Sequence, residues 1–402
     1  MNPYRSVKRR AAFFYCAALV SMILSGMAYA QSDVIGLVKN QMMPVIQVGA
    51  PGDTLTREYN YYRPAGLQGK TPLVIYFHGG SLDSNYAVSN GATSHRWIDL
   101  AEANKFLVIF PNGTNDQGQY LIGANKGKDK FNATGTNQHW NDCRIAMTNK
   151  TRANDLAFTK ELVRWAENKA WTPPDPNDPT KNISIDPQRI YVTGDSNGGA
   201  MTHRNLIQQS DLVAAGAAFI ADLPTDSNNA CTSGPARAVP LFMLFGTNDK
   251  TMDYAGTCVA GQSPPAEGCL KSAQDTRDWW INQYGALSKS SSPSSCPAPA
   301  NATVKTDAND SSITWCTYND INTTDGPGSN SSVVSSYAYS GGNAAIVSYT
   351  VDGGGHLVPS VIYSDATAQA LLGPQNRDLE SVDEAWNFLK DKTCGTCQKL
   401  TP

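Results

Sequence analysis

Three residue types stand in an order that acyl-transfer chemistry can use: a serine at 196, an aspartate at 249 and a histidine at 356. Ser196 is the centre of Gly194-Asp195-Ser196-Asn197-Gly198, which follows an apolar run and precedes a helix-compatible stretch. A serine hydroxyl is a weak nucleophile until a base takes its proton, and a tight strand-to-helix turn can present it to base and substrate at once. In that arrangement the acid and then the base come later in the chain. Of the five histidines (His78, His95, His139, His203 and His356) only His356 lies more than a helix beyond Ser196. It ends Val351-Asp352-Gly353-Gly354-Gly355-His356, where glycines let the backbone turn back towards the elbow. His203 sits on the elbow helix, about two turns on, and is expected to point away. Asp249 follows the apolar run 241–245 and the turn Gly246-Thr247-Asn248, so it is the expected acceptor for the His356 Nδ1 proton, with Asp253 the alternative. Asp195, beside the nucleophile, is expected to meet solvent or substrate.

Such a reaction creates an oxyanion that needs fixed donors. Phe77-His78-Gly79-Gly80-Ser81, after the run 73–77, has the form of an oxyanion loop. The backbone N–H of Asn197 is one expected donor and that of Gly80 or Ser81 the other, each typically worth about 2.7–4 kcal/mol in the transition state. His78 and Gly79 are expected to shape the loop. Within Gln138-His139-Trp140-Asn141-Asp142-Cys143, Trp140 and Asn141 suit a cleft wall, and one of Trp279 and Trp280, on a helix, is expected to face the cleft; Trp280 is the candidate.

These residues need a scaffold. Short apolar runs at 73–77, 106–110, 189–193 and 241–245, with a later candidate at 345–351, each end in Gly, Pro or Asn turns. Helical spacing over 96–104 and 155–170 lies between them, with Asn154 or Asp155 as N-cap. The alternation predicts an α/β fold, a mostly parallel sheet with helices on both faces and its ligand crevice at the strand C-terminal ends. Residues 171–182 carry four prolines and read as an inserted turn-rich loop. Residues 288–336, rich in Ser, Asn, Thr and Pro, read as a disulfide-pinned excursion with a strand-like island at 313–318, so the C-terminal part is expected to be loop-rich.

Arg5, Lys8, Arg9 and Arg10 precede an apolar run over 11–23 and the small-x-small triplet Ala28-Tyr29-Ala30, the form of a signal peptide over 1–30 with the mature domain over 31–402. The run is shorter than the roughly 20 residues of a membrane span. Loss of those four positive charges takes the formal net charge from −3 to −7, which disfavours nucleic acid and anionic membranes as partners. Export leaves eight cysteines, an even number suited to disulfides in a secreted or periplasmic protein. Cys258 with Cys269 and Cys296 with Cys316 are close enough in sequence to close small loops, and Cys394-Gly395-Thr396-Cys397 reads as a structural disulfide.

Taken together, these segments resemble the α/β-hydrolase esterases of the polyhydroxybutyrate depolymerase and feruloyl esterase group. The matching stretches are His78-Gly79-Gly80, Phe110-Pro111-Asn112-Gly113, Trp140-Asn141, Ile185-Asp186-Pro187, Gly194 to Met201, Gly246-Thr247-Asn248-Asp249 and Gly353-Gly354-Gly355-His356, in family order. The resemblance implies an ester hydrolase with Ser196 as nucleophile, Asp249 as acid, His356 as base and His78 with its glycines at the oxyanion loop; the protein is expected to be a monomer. It implies no metal or organic cofactor, and a small-molecule or polymeric ester as substrate. The same triad also serves hydrolysis of β-diketones or peptides, and a non-catalytic polymer-binding protein is the reading of another class. Phe245 stands where many members carry histidine, 171–182 and 253–268 are unusual insertions, and the 46 residues after His356 leave little room for an appended polymer-binding domain.

Overall fold

The apolar runs become strands because each buries both faces. In the computed structural model of the chain, Leu73, Ile75 and Phe77 point into one core cluster, and Val74 and Tyr76 of the same strand point into the other. Leu107 and Ile109 likewise oppose Val108 and Phe110. A strand without a solvated face belongs inside a parallel sheet covered on both sides.

The structure describes residues 35–46, 54–115, 138–147, 151–171, 182–258, 266–284, 288–289, 302–306, 314–318, 333–341, 344–364 and 366–402. Along them run β1 (Gly36–Ile46), β2 (Thr54–Arg63), β3 (Lys70–Phe77), α1 (Ser84–Ala87), α2 (Arg96–Asn104), β4 (Leu107–Pro111) and α3 (Asp155–Asn168). Next come β5 (Ser184–Asp195), α4 (Asn197–Gln208), β6 (Ala215–Phe219), β7 (Leu241–Gly246), α5 (Ala273–Gln283) and β8 (Ser288–Lys289). The chain continues through β9 (Ala302–Thr306), β10 (Thr314–Tyr318), β11 (Val333–Gly341), β12 (Ala344–Val351), α6 (Ala366–Leu372) and α7 (Ser381–Leu389). Residues 35–402 form one compact unit. The expected signal peptide, its cleavage site, most of the 171–182 insertion and the Cys296 pairing lie outside the described residues.

The sheet order is β1-β2-β4-β3-β5-β6-β7-β12-β11-β10-β9, with β8 beside β11. Pairing is parallel from β4 through β3, β5, β6 and β7 to β12, and antiparallel at β1-β2 and β2-β4. Helices α3, α4 and α5 pack one face through Phe158, Leu162, Met201, Leu206 and Trp280. Helices α2 and α7 cover the other through Trp97, Leu100, Val382 and Trp386. Asn154 caps α3, its side chain accepting from the Ala157 N–H at 3.1 Å.

Within 288–336 the described residues are strands. The strand-like island is β10; it pairs with β9 and β11, and β11 pairs with β12, so the described residues here extend the sheet antiparallel. The open edge of β12 supplies the hydrogen-bonding groups that recruit them. Disulfides join Cys258 to Cys269 and Cys394 to Cys397, as their spacing suggests, and Cys143 to Cys231 across 88 residues.

Candidate active site

The elbow forms where β5 runs into α4. Ser196 adopts φ 54° and ψ −123°, a sparsely populated backbone region, and its N–H donates to the Phe219 carbonyl at 2.9 Å, which ties the turn to the end of β6. The end of β3 crosses directly over the turn. A β-carbon on Gly198 would fall 2.0 Å from the Phe77 carbonyl oxygen and 2.6 Å from that of His78, so only glycine fits there. The strain holds the half-buried hydroxyl out over the sheet's C-terminal edge.

Asp249 and His356 reach the serine from adjacent strands. β7 and β12 are parallel neighbours, and the loops that leave them are stitched together: Asn248 N–H donates to Gly354 O at 2.9 Å, and Gly353 N–H to Thr247 Oγ1 at 2.8 Å. His356 N–H donates to Leu372 O at 2.7 Å, anchoring His356 to the end of α6. Asp249 Oδ1 accepts the N–H groups of Thr251 and Met252 at 2.8 and 2.9 Å, leaving Oδ2 for His356 Nδ1 at 2.6 Å. An ionised carboxylate only accepts, so Nδ1 carries the proton and Nε2 is free to accept from Ser196 Oγ at 2.8 Å. Asp253 instead accepts from the Ala255 N–H at 3.0 Å, away from this series. Behind Asp249 lies Asp222, buried; that burial, and then the charge of Asp249, push its carboxyl well above the usual carboxylate range.

The oxyanion loop sorts the two expected donors. Ser81 N–H donates to Gln138 O at 2.9 Å, which corrects its assignment as an oxyanion donor. Gly80 N–H remains, opposite Asn197 N–H in the first turn of α4, where backbone donors lack helical acceptors. His78 is buried and accepts the Gly113 N–H at Nε2, 3.0 Å, while its Nδ1 lies 2.8 Å from Gly79 O. Burial lowers its pKa to about 4, so His78 is a neutral strut of the loop beneath Gly79.

Two aromatic assignments change. Trp140 is wholly buried, its indole N–H donating to His78 O at 2.8 Å and its ring packed on Phe77 and His78. Trp280 is equally buried and donates to His203 Nδ1 at 3.1 Å. Neither lines the cleft, because each indole N–H needs an acceptor and finds it inside the fold. Asn141 is also turned away, its side chain donating to Ala153 O at 2.8 Å. His203, with Nε2 3.3 Å from Ala221 O, points away from Ser196 as its helical position requires.

The sequence reading missed the side chain of Asn197. Its Oδ1 accepts the Trp140 N–H at 2.7 Å, and its Nδ2 donates to Trp140 O at 3.2 Å and Asp142 Oδ2 at 2.7 Å. With the Trp140 indole on His78, this clamp fixes elbow and oxyanion loop to one another. An amide directly after Ser196 and a Trp-Asn-Asp run were the visible signals. His139 was also unassigned; a β-carbon on Gly80 would meet its ring at 3.2 Å, and it lines the cleft.

Beside Ser196 opens a cavity of about 370 Å³, lined by Gly80, Asn197, His356, Asp195, Leu82 and Ile220 among others. Asp195 reaches it as expected, with Oδ1 accepting from the Tyr76 hydroxyl. Burial raises the Asp195 pKa and the Tyr76 bond opposes that rise.

Sheet order, elbow and the Ser–His–Asp series define an α/β-hydrolase fold. The chain is 25% identical over 220 residues to a bifunctional acetylxylan esterase/xylanase of Neocallimastix patriciarum, covering 54% of this chain and 24% of that protein. It is 31% identical over 106 residues to feruloyl esterase B of Piromyces equi, covering 26% and 17%, and 27% identical over 230 residues to poly(3-hydroxyalkanoate) depolymerase C of Paucimonas lemoignei, covering 57% and 43%. The chain thus spans less than half the length of these relatives. No protein-family model matches it. Among solved structures, an acetyl xylan esterase from Aspergillus awamori superposes with a TM-score of 0.42 at 14% identity, over 80% of this chain and 95% of that one. The resemblance to the depolymerase and feruloyl esterase group is therefore one of aligned sequence as well as of motif.

Proposed function

We propose that the chain is an exported serine carboxylic-ester hydrolase acting through an acyl-serine intermediate, on hydroxyalkanoate oligomers or feruloyl-type esters. The observation that carries this reading is the unbroken series from Ser196 Oγ through His356 to Asp249, at 2.8 and 2.6 Å, opening onto the cavity of about 370 Å³. His356 Nε2 takes the serine proton as Oγ attacks the ester carbonyl, and Asp249 stabilises the imidazolium that forms. The carbonyl oxygen, now negative, is received by the N–H groups of Gly80 and Asn197, held in place before the reaction by the Trp140–Asn197 clamp. His356 then gives its proton to the departing alcohol. Water, activated by the same imidazole, attacks the acyl-serine and releases the acid. The step sequence draws on the protein's own groups and water.

The matches to an acetylxylan esterase/xylanase, a feruloyl esterase and a polyhydroxyalkanoate depolymerase support ester hydrolysis, and the disulfides fit an oxidising compartment. The test is Ser196→Ala assayed on p-nitrophenyl acetate and butyrate, with a fluorophosphonate probe on the unaltered protein. Loss of turnover by at least about 10³-fold with retained fold is expected, since the nucleophile itself is removed. Unchanged turnover, or no labelling of Ser196, would overturn the reading in favour of a binding protein.

A further inference from the structure

The side chain of Asn197 is tied to more than the Trp140 backbone. Its Oδ1 accepts the Trp140 N–H, so Nδ2 must face Asp142; the flipped amide would set two donors against each other. Asp142 is wholly buried, and a buried carboxylate needs a countercharge to remain ionised. Arg144, equally buried, supplies it. Its Nε donates to Asp142 Oδ1 at 3.1 Å and Oδ2 at 3.0 Å, and its backbone N–H donates to Oδ1 at 2.8 Å. The 2.7 Å bond from Asn197 Nδ2 to Asp142 Oδ2 is therefore charge-assisted, which makes it a stronger tether than an amide–amide contact.

The other end of Arg144 reaches the cleft. Its Nη1 donates to Glu267 Oε2 at 2.7 Å and to the Glu267 carbonyl at 3.2 Å, and Glu267, partly exposed, lines the cavity beside Ser196. Glu267 belongs to the insertion over 253–268, whose described ends are joined by the Cys258–Cys269 disulfide and by Thr257 Oγ1 donating to Gly268 O at 2.9 Å. The insertion lies hard against the Arg144 segment: a β-carbon on Gly268 would fall 2.1 Å from the Ala146 carbonyl oxygen. Contacts thus run from Glu267 through Arg144 and Asp142 into the residue that follows the nucleophile.

That residue needs restraint. The Asn197 N–H lies in the planar peptide that joins it to Ser196, so its direction follows from the Ser196 φ of 54° and ψ of −123°. A backbone in such a region persists only where its surroundings hold it, and the Asn197 side chain is the nearest point of hold. We infer that Asp142, Arg144 and Glu267 are positioning residues for the oxyanion. Through the Asn197 amide they keep the Asn197 N–H aimed at the oxygen that turns negative, so the insertion over 253–268 takes part in building the oxyanion hole. The inference rests on the ester-hydrolase reading and adds three residues outside its motifs.

The experiment measures kcat and KM on p-nitrophenyl acetate, Ki for 1,1,1-trifluoro-2-pentanone, and Tm. The variants are Glu267→Ala, Glu267→Gln, Arg144→Lys and Asp142→Asn, each alone and in an Asn197→Ala background. The ketone adds to a serine hydroxyl as a tetrahedral adduct with a negative oxygen, so its Ki reads the oxyanion donors without turnover. Removing one such donor outright costs roughly 10²–10³-fold in kcat, which bounds the effect of misaiming it. Asp142→Asn sets an NH2 group against a donor and is expected to lower kcat by about 10- to 100-fold, as is Arg144→Lys, which loses the planar fork. Glu267→Ala, at the outer end, is expected to lower kcat by about 3- to 10-fold, and Glu267→Gln, which keeps an oxygen for Arg144, to restore most of that. KM is expected to stay within about twofold while Ki rises in step with the fall in kcat. In the Asn197→Ala background Glu267→Ala, Arg144→Lys and Asp142→Asn are each expected to change kcat by less than about twofold further, because the link they act through is gone. Effects that multiply in full in that background overturn the inference, since Glu267 would then touch substrate directly or the substitutions would merely loosen the fold. A kcat for Glu267→Ala within about twofold of the unaltered protein overturns it as well. Should Asp142→Asn or Arg144→Lys not fold, Glu267→Ala, on a partly exposed residue, decides alone. Either overturning result, with the unaltered protein turning over the ester, removes this inference alone. No turnover by the unaltered protein removes the ester reading and this inference with it.

Discussion

Asp249→Asn tests whether the carboxylate sets the histidine tautomer. In the native site Oδ1 accepts two backbone N–H groups, from Thr251 and Met252, and Oδ2 accepts His356 Nδ1–H. Asparagine has one oxygen and one NH2 group. Kept on Thr251 and Met252, its oxygen turns the NH2 group towards His356, so Nδ1 must become an acceptor and the ring proton moves to Nε2. That tautomer cannot take a proton from Ser196. Flipping the amide restores the right tautomer but sets NH2 against two buried N–H donors, at about 1–3 kcal/mol for each donor left unpaired. The penalty of about 2–6 kcal/mol reduces the productive arrangement by roughly 30-fold to 10⁴-fold, the upper end matching the loss when such a tautomer is reversed in other triads. The assay is kcat/KM for p-nitrophenyl butyrate together with thermal unfolding. A loss of 30-fold or more with Tm nearly unchanged is the expected outcome. A loss under tenfold would refute the reasoning, because Asp249 would then not govern which nitrogen holds the proton.

Gly198→Ala places a β-carbon 2.0 Å from the Phe77 carbonyl oxygen, so the elbow must move away from β3. Urea unfolding is expected to report a loss of about 3 kcal/mol or more, beyond ordinary overpacking because backbone is what must yield. Replacing Cys143 and Cys231 together by serine opens an 88-residue link and is expected to cost about 4–5 kcal/mol on chain-entropy grounds, seen as a lower urea midpoint; no shift would count against it. Glu384, which accepts from the Tyr349 hydroxyl at 3.2 Å, has its pKa raised by burial from 4.5 to about 7. A raised carboxyl pKa favours the protonated fold, so its contribution is complete below about 4.5 and is lost as pH rises through about 7. The loss is bounded at about 3 kcal/mol and reduced by partial solvent contact. Glu384→Gln is expected to flatten Tm against pH across that window, and an unaltered slope would sink the assignment.

How much of this was legible in the chain depended on where each group's partners lie. Ser196, Asp249 and His356 could be read because acyl-transfer chemistry orders them and each follows an apolar strand by a few residues. Strands β3, β4, β5, β7 and β12 were legible for the same reason: burial on both faces demands continuous apolar runs. β6, Ala-Gly-Ala-Ala-Phe over Ala215–Phe219, was not, since small residues carry little strand preference and its pairing with β5 and β7 decides the matter. β2 hides Arg57 and Glu58 inside the fold, so it reads as a polar segment. Arg57 is buried because Asp155, 98 residues on, meets it at 2.6 Å.

The same distinction explains the two misplaced tryptophans and the reassigned Ser81 donor. An indole in sequence looks like a stacking surface; its N–H, once an acceptor waits 62 residues away at His78 or 77 away at His203, makes it a strut. Ser81 N–H is lost to the oxyanion for the same kind of reason, a pairing with Gln138 that no local pattern announces. Asn197 carries the consequence furthest. The elbow pattern leaves the position after the serine open, yet in this fold its backbone is an expected oxyanion donor and its side chain makes three contacts to the Trp140–Asp142 segment that braces His78. A position free in the motif is therefore constrained by the fold, because the elbow is held in register with the loop that carries His78 through a single amide.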